Sequence, residues 1–316
     1  MRWRPREPRR PAPAALALLT ALACGGPAPR EAAPATTGPS ATTSPSVSVS
    51  ASPTPSPTPS AGRAYVIGVI GDYGVDREPV RRVVRAMTRF NRTRPLDAVL
   101  TTGDNAYCCG TRTQSEFARR LLAPFRTTGT PVYPALGNHD VGTEDGAAFM
   151  RVFGMTKRWY TVTIGPVQVV VLDSTKVSSA TQLQFLRNVL AAPRPRPFRV
   201  VVFHHPGWSC SAHNPHTGIV ERWAPLFGTK VDLVLTGHNH TYERFKASTG
   251  VPYVTTGGGG AGLYSSAGVA CRGLHKVQYL KTAHHAVRLV ATRTSLRLDG
   301  IGADGTTFDS VTVRPR

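Results

Sequence analysis

One repeated placement constrains this 316-residue chain more than any other feature: five apolar runs each end in side chains that bind metals. AYVIGVIGD ends in Gly71-Asp72, DAVLTTGD in Gly103-Asp104, and PVYPALGNHD in Gly137-Asn138-His139-Asp140. FRVVVFHHP carries His204-His205, and VDLVLTGHNH ends in Gly237-His238-Asn239-His240. Short β-branched runs of this kind read as buried strands. Ligands of α/β sheets collect beyond the carboxyl ends of strands, so one sheet edge can gather all five groups into a single cleft. A glycine ahead of the ligand permits a sharp backbone turn that brings the side chain close. A lone Gly-Asp marks a turn, and a lone buried His is a core residue. Five such ends in order point to metal chemistry instead. Carboxylates and imidazoles suit first-row transition metals, and an amide oxygen completes a hard shell. One carboxylate can bridge two ions, and two ions about 3.5–4 Å apart clamp a phosphoryl group and activate a water.

Between these runs lie segments with helical spacing: EPVRRVVRAMTRF, SEFARRLLAPF and TQLQFLRNVLAA. Strands alternating with helices predict an α/β fold. WYTVTIGPVQVVVLDS reads as two strands joined at Gly165-Pro166. The late alternating run AVRLVATRTSLRLDG predicts antiparallel strands that form a second sheet rather than one open sheet.

The N-terminus differs in character. Arg2, Arg4, Arg6, Arg9 and Arg10 precede the short apolar run Ala14 to Ala23, which is too short to span a bilayer. Ala21-Leu22-Ala23-Cys24 resembles a bacterial lipobox, so residues 1–24 are expected to be an export signal ending at a lipidated Cys24. An ordinary cleaved signal with an incidental Cys is the alternative. Residues 25–63, rich in Pro, Ser and Thr, cannot bury a core and are expected to form a disordered stalk before a catalytic domain at 64–316. The chain is thus expected at the cell surface or secreted. Exported cysteines meet oxidising conditions, and bridges from the adjacent pair Cys108 and Cys109 to Cys210 and Cys271 are expected, in either pairing.

Residues 1–63 hold only seven of the 38 Lys and Arg and two of the 18 Asp and Glu, so residues 64–316 keep a formal +15. That charge attracts anions. No basic segment interleaves with aromatics as a nucleic-acid groove does, so no specific nucleic-acid partner is expected.

GDYG (71–74), GDNAY (103–107), GNHD (137–140), VVFH (201–204) and GHNH (237–240) together resemble the calcineurin-like metallophosphoesterase superfamily, and within it the purple acid phosphatases. The resemblance covers residues 64 to 316. It implies a four-layer α/β/β/α sandwich with two metal ions at the strand ends. Most of the superfamily has Asp-x-His in the first motif; here Gly74 stands in place of that His. Tyr107, three residues after Asp104, stands where purple acid phosphatases bind ferric iron through a tyrosinate. The resemblance then implies that Asp72, Tyr107 and His240 hold Fe(III). Asn138, His204 and His238 would hold a divalent ion (iron, zinc or manganese), with Asp104 bridging the two. His139 would contact substrate phosphate. His213, with His216 as a competitor, would assist phosphate binding and protonate the leaving group. Asp140 would orient His139 or a ligand. The implied activity is hydrolysis of phosphate monoesters, on a small phosphorylated substrate. A phosphodiesterase using the same centre and a non-catalytic anion-binding protein are the alternatives.

The glycine-rich Thr255 to Gly262 lacks the Gly-Lys-Ser/Thr of a P-loop and is expected to be a tight loop leaving room for substrate. His275, His284 and His285 have no partner at ligand spacing and are expected at the surface or in the core.

Overall fold

The computed structural model describes residues 62–90, 94–211, 213, 216–265 and 276–316. The expectations for residues 1–61, including a lipidated Cys24, lie outside the described residues, as do Cys271 and His275.

Three parallel strands come first: β1 (Tyr65–Ile70), β2 (Ala98–Thr101) and β3 (Val132–Pro134). The hairpin predicted at Gly165-Pro166 is β4 (Tyr160–Ile164) and β5 (Val167–Val171). β6 (Phe198–Val202), β7 (Leu233–Thr236), β8 (Tyr242–Lys246), β9 (Pro252–Thr256) and β10 (Lys276–Lys281) follow. The chain closes with β11 (His285–Ala291), β12 (Leu296–Gly302) and β13 (Thr307–Val313). These strands make two sheets, a six-stranded one in the order β13-β12-β11-β1-β2-β3 and a seven-stranded one in the order β10-β8-β9-β7-β6-β5-β4.

Two sheets were expected, but the late strands do not form the second one. β11 pairs antiparallel with β1, so β11, β12 and β13 extend the first sheet. The second sheet is built from the middle of the chain, with β5, β6, β7 and β9 parallel at its heart.

The helices are α1 (Glu78–Met87), α2 (Arg112–Leu121), α3 (Ala123–Arg126), α4 (Ala147–Phe153), α5 (Ala180–Ala191) and α6 (Ala224–Phe227). α1 buries Val80, Val83, Val84 and Met87, a single face at helical spacing, behind an acidic first turn at Glu78. α2 opens on a capping box in which the Thr111 side chain accepts from the Gln114 N–H and Gln114 accepts from the Thr111 N–H. The single helix read through Phe125 breaks at Leu122, because Pro124 lacks the N–H that would continue the ladder.

Ile67, Val69, Leu100, Val169, Val200, Leu235 and Leu289 pack in a dry layer between the two sheets. Val83, Met87, Phe125 and Phe149 cover the outer face of the first sheet, and Leu186, Leu190, Trp223 and Phe227 that of the second. The architecture is the α/β/β/α sandwich. At roughly 1.5–3 kcal/mol per fully buried aliphatic side chain, the middle layer fixes the two sheets against each other.

Candidate metal centre

Every metal-type side chain of the five motifs lies just past the carboxyl end of a parallel strand. Asp72 follows β1, Asp104 and Tyr107 follow β2, and Asn138, His139 and Asp140 follow β3. His204 and His205 follow β6; His238 and His240 follow β7. The expectation of one sheet edge is corrected here: β1, β2 and β3 belong to one sheet and β6 and β7 to the other. The sheets face each other, so the cleft is made jointly by both.

The glycines act differently from the simple expectation. The left-handed turn falls on the ligand residues themselves, with φ of 56° at Asp72, 48° at Asp104 and 70° at His238. Such a conformation costs about 1–2 kcal/mol and is tolerated best by Asp and Asn among residues with a side chain. Of the glycines preceding these groups only Gly103 is left-handed, at φ 93°. It is also required by proximity, since a Cβ there would stand 2.5 Å from His204 Nδ1.

The side-chain tips form two connected sets. In the first, Tyr107 Oη is 2.7 Å from His240 Nε2 and 3.3 Å from Asp72 Oδ1, and His240 Nε2 is 3.4 Å from Asp72 Oδ1. In the second, His204 Nε2 is 3.0 Å from Asn138 Oδ1, 3.2 Å from His238 Nδ1 and 3.3 Å from Asp104 Oδ2. Ligands at about 2.1 Å from one ion stand roughly 3.0–3.4 Å apart in octahedral or tetrahedral shells; the second set has that spacing throughout, and the first has it except at the 2.7 Å contact of Tyr107 with His240. The imidazoles are set for it. His204 Nδ1 lies 2.9 Å from Thr102 O and His240 Nδ1 lies 2.6 Å from Gly262 O. With each Nδ1–H donated to a carbonyl, each Nε2 keeps its lone pair for a cation. Among the described residues, ligand atoms of Asp72, Asp104 and His204, and separately of His204, His205 and His238, all lie within 4.8 Å of one another. The residues fit a dinuclear centre.

Electrostatics in the bare protein show why such a centre needs cations. Asp72, His204 and Asp104 are all buried, and no Arg or Lys pairs with either carboxylate among the described residues. Burial raises the Asp72 carboxyl. Burial acts on Asp104 in the same direction, but the His204 charge and hydrogen bond override it and hold Asp104 below the usual range. His204 rises to about 9, because Asp104 outweighs its burial, while burial and the His204 charge drive His238 down to about 2. Burial and then the two carboxylates raise the Tyr107 phenol well above its ordinary value.

The remaining expected residues separate. The His139 N–H donates to Asp104 Oδ1 at 3.0 Å, and its ring lies 4.5 Å from that of Tyr107. The His213 ring lies 4.5 Å from that of His238, whereas its competitor His216 stands 5.5 Å from His205. Behind the loop carrying His213, the buried Glu243 accepts from the Cys210 N–H and the Thr241 hydroxyl, each at 2.9 Å. Asp140 makes no bond to His139. It accepts from Ala106 N, Asn105 Nδ2 and Gly137 N, each at 2.8 Å, and so ties the loop of Asp104 and Tyr107 to the loop of Asn138. Burial, then the Asp104 charge, pushes its carboxyl up to about 7.

Two residues near the centre carry no assigned role from the sequence: His205, named there only as half of the His204-His205 strand end, and Tyr264, not named at all. The chain bends at His204 and His205, so both rings of the doublet reach the cleft; the His205 Nδ1 lies 2.9 Å from Ser174 Oγ, and burial lowers its pKa to about 3. Tyr264 stacks on His240 with ring centroids 4.2 Å apart. Only the His-His doublet carried a hint in the sequence; Tyr264 carried none.

Three expectations are corrected or placed. Cys210 is disulfide-bonded, but neither Cys108 nor Cys109 forms a disulfide, their sulfurs standing 3.2 Å apart, so no bridge runs from that pair to Cys210. The glycine run is the tight loop expected: its N–H groups bond Gly71 O and Thr241 O, and a Cβ at Gly257 would stand 2.1 Å from Asn239 O, while Gly262 at its end is exposed. His285 is a satisfied core residue, its ring nitrogens 2.8 Å from Ala283 O and 3.0 Å from the Thr256 hydroxyl.

Residues 65–242 match the family model described as calcineurin-like phosphoesterase. Over 230 residues, 61% of this chain and 67% of the relative, the sequence is 24% identical to purple acid phosphatase 4 of Arabidopsis thaliana. It is 28% identical to purple acid phosphatase 21 of the same plant over 222 residues, and there it spans 61% of this chain but only 49% of the relative. The fold is similar to that of GAP50, the anchor in the inner membrane complex of Plasmodium, with a TM-score of 0.64 at 14% identity over 80% of this chain and 89% of that one.

Proposed function

Because this chain belongs to the calcineurin-like phosphoesterase family, we propose that it hydrolyses phosphate monoesters at a two-metal centre of the purple acid phosphatase type. One observation carries the finer assignment. A Cβ at Gly74 would stand 2.0 Å from Asn105 O, so no histidine side chain can stand at that place, and the Tyr107 hydroxyl closes the set with Asp72 and His240 instead. The tyrosine oxygen there is a hard anionic donor suited to a trivalent ion. In the bare protein burial and two carboxylates keep its proton on, so a tyrosinate at this position requires a strong cation beside it.

Asp72, Tyr107 and His240 would hold Fe(III), Asn138, His204 and His238 a divalent ion, and Asp104 would bridge them. Such a pair, when bound, neutralises phosphoryl oxygens and lowers the pKa of a water toward roughly 7. The chain's own residues supply the rest. Asp104 is held in place by the His139 N–H, and Asp140 holds the two ligand loops together. His139 would bond a phosphoryl oxygen. His213, beside His238 and partly open to solvent, would deliver a proton to the leaving oxygen.

Elemental analysis and a visible spectrum of the purified protein test this reading. The expected result is iron with a broad visible band that Tyr107→Phe removes, and turnover of a chromogenic monoester above that of the matching diester. A colourless zinc or manganese protein would overturn the purple assignment, and a diester preference would overturn the monoester one.

A further inference from the structure

The loop after β9 ends its glycine run at Tyr264, a residue that none of the roles above employs. Three contacts fix it. Its N–H donates to the His240 carbonyl at 3.3 Å. Its ring lies on the His240 imidazole, with centroids 4.2 Å apart and planes 13° apart. It meets the His213 ring edge-on at 4.9 Å, and His213 in turn lies 4.5 Å from His238. One phenol therefore touches a ligand of the first set and the ring that stands beside a ligand of the second. Burial, and then the Asp72 and Asp104 carboxylates, raise its phenol to about 12, so it keeps its proton.

That hydroxyl has no hydrogen-bond partner among the described residues. Tyr160 donates to Pro134 O at 2.8 Å and Tyr242 to Asp309 Oδ2 at 2.6 Å, while the Tyr73 hydroxyl is also open but sealed in the core, so Tyr264 is distinguished by facing the cleft rims His240 and His213. A partly exposed tyrosine whose ring is fixed by His240 and His213 keeps its hydroxyl available for a group that enters the cleft. Beside a centre whose residues fit two cations, and beside two imidazoles, that visitor would be a tetrahedral oxyanion rich in acceptors. A donor O–H is the complement such a group needs at an oxygen that no cation holds.

We propose that Tyr264 is a substrate-contacting residue, donating its hydroxyl to a phosphoryl oxygen of the bound ester while its ring holds His213 on the leaving-group side. The proposal rests on the phosphoesterase reading above. It assigns a chemical role to the end of the glycine run: the glycines press the loop against Gly71 and Asn239, and this presses Tyr264 onto His240.

Tyr264→Phe keeps the ring and its stacking and removes only the hydroxyl. The full chain, loaded with both metals, is compared with wild type for metal content, for inorganic phosphate affinity by calorimetry, and for kcat and KM on a chromogenic monoester. The expected result is unchanged metal content, phosphate affinity weakened roughly tenfold, and kcat/KM lowered roughly 10- to 100-fold, the range for one hydrogen bond to a charged group. Phosphate affinity equal to wild type overturns the proposal. So does loss of metal from the variant with normal phosphate affinity in the loaded fraction, since Tyr264 would then be only a prop for His240. If loaded wild type itself neither binds phosphate nor turns over the ester, the reading of the whole centre falls and this one with it. An active wild type beside an indifferent variant sinks Tyr264 alone.

Discussion

Two regions of this molecule bury charge in opposite ways. Where β8 meets β12 and β13, each buried carboxylate has its cation. Arg244 reaches Asp309 through Nε at 2.7 Å and Nη2 at 2.9 Å, and Tyr242 donates to the same carboxylate. Asp299 takes Arg288 at 2.8 Å and the Ser310 hydroxyl at 2.8 Å. At the carboxyl ends of the parallel strands, Asp72 and Asp104 are as deeply buried, yet among the described residues no Arg or Lys pairs with them, and they meet only imidazoles, a phenol and the backbone N–H groups of His238 and His139. The difference shows what each region is for. Charge matched within the chain stabilises a fold; charge left unmatched in a rigid cleft is a socket for an ion from outside.

The comparison breaks most sharply at Asp104. Asp104→Ala is expected to abolish turnover and strip both metals while the circular dichroism of the fold is retained. A fully active variant would show that Asp104 does not bridge. Asp309→Ala is expected to do the reverse: it costs about 2–3 kcal/mol of unfolding free energy in denaturant titration, since Arg244 loses its partner, but leaves two metals per chain and an unchanged kcat. Metal loss in step with that destabilisation would mean the regions are coupled. The smallest effect is acid sensitivity. Burial raises Asp309, but the Arg244 and Tyr242 hydrogen bonds outweigh it, so its folded pKa lies below the unfolded one. Its contribution is therefore present above the ordinary carboxylate pKa of about 3.9 and lost as pH falls through the depressed folded value. In metal-free protein, the stability gap between wild type and Asp309→Asn should narrow on acidification below about pH 4. A gap that widens there would reverse the sign.

Much of the centre was legible because a metal ligand is a residue type at a strand end, and both are local properties. The exchange of a first-motif His for Gly74 and Tyr107 could be read directly, and the structure brings that tyrosine to Asp72 and His240. Pairings between distant strands were not legible. Nothing in the periodicity of AVRLVA says that its antiparallel partner is β1, more than 200 residues earlier, and so the late strands were given to the wrong sheet. The glycines before the ligands read as sharp turns, but at Gly103 it is also the approach of the His204 ring that excludes a side chain. Tyr264 was invisible because aromatic stacking across 24 residues of loop and strand leaves no spacing to read.

The shared origin of the donors has a mechanical consequence. Asp72 and Tyr107 come from one sheet and His240 from the other; Asn138 comes from the first and His204 and His238 from the second. Each ion bound in these sets would be a rivet driven through the seam between two layers, fastening at the rim what the aliphatic filling only presses together below.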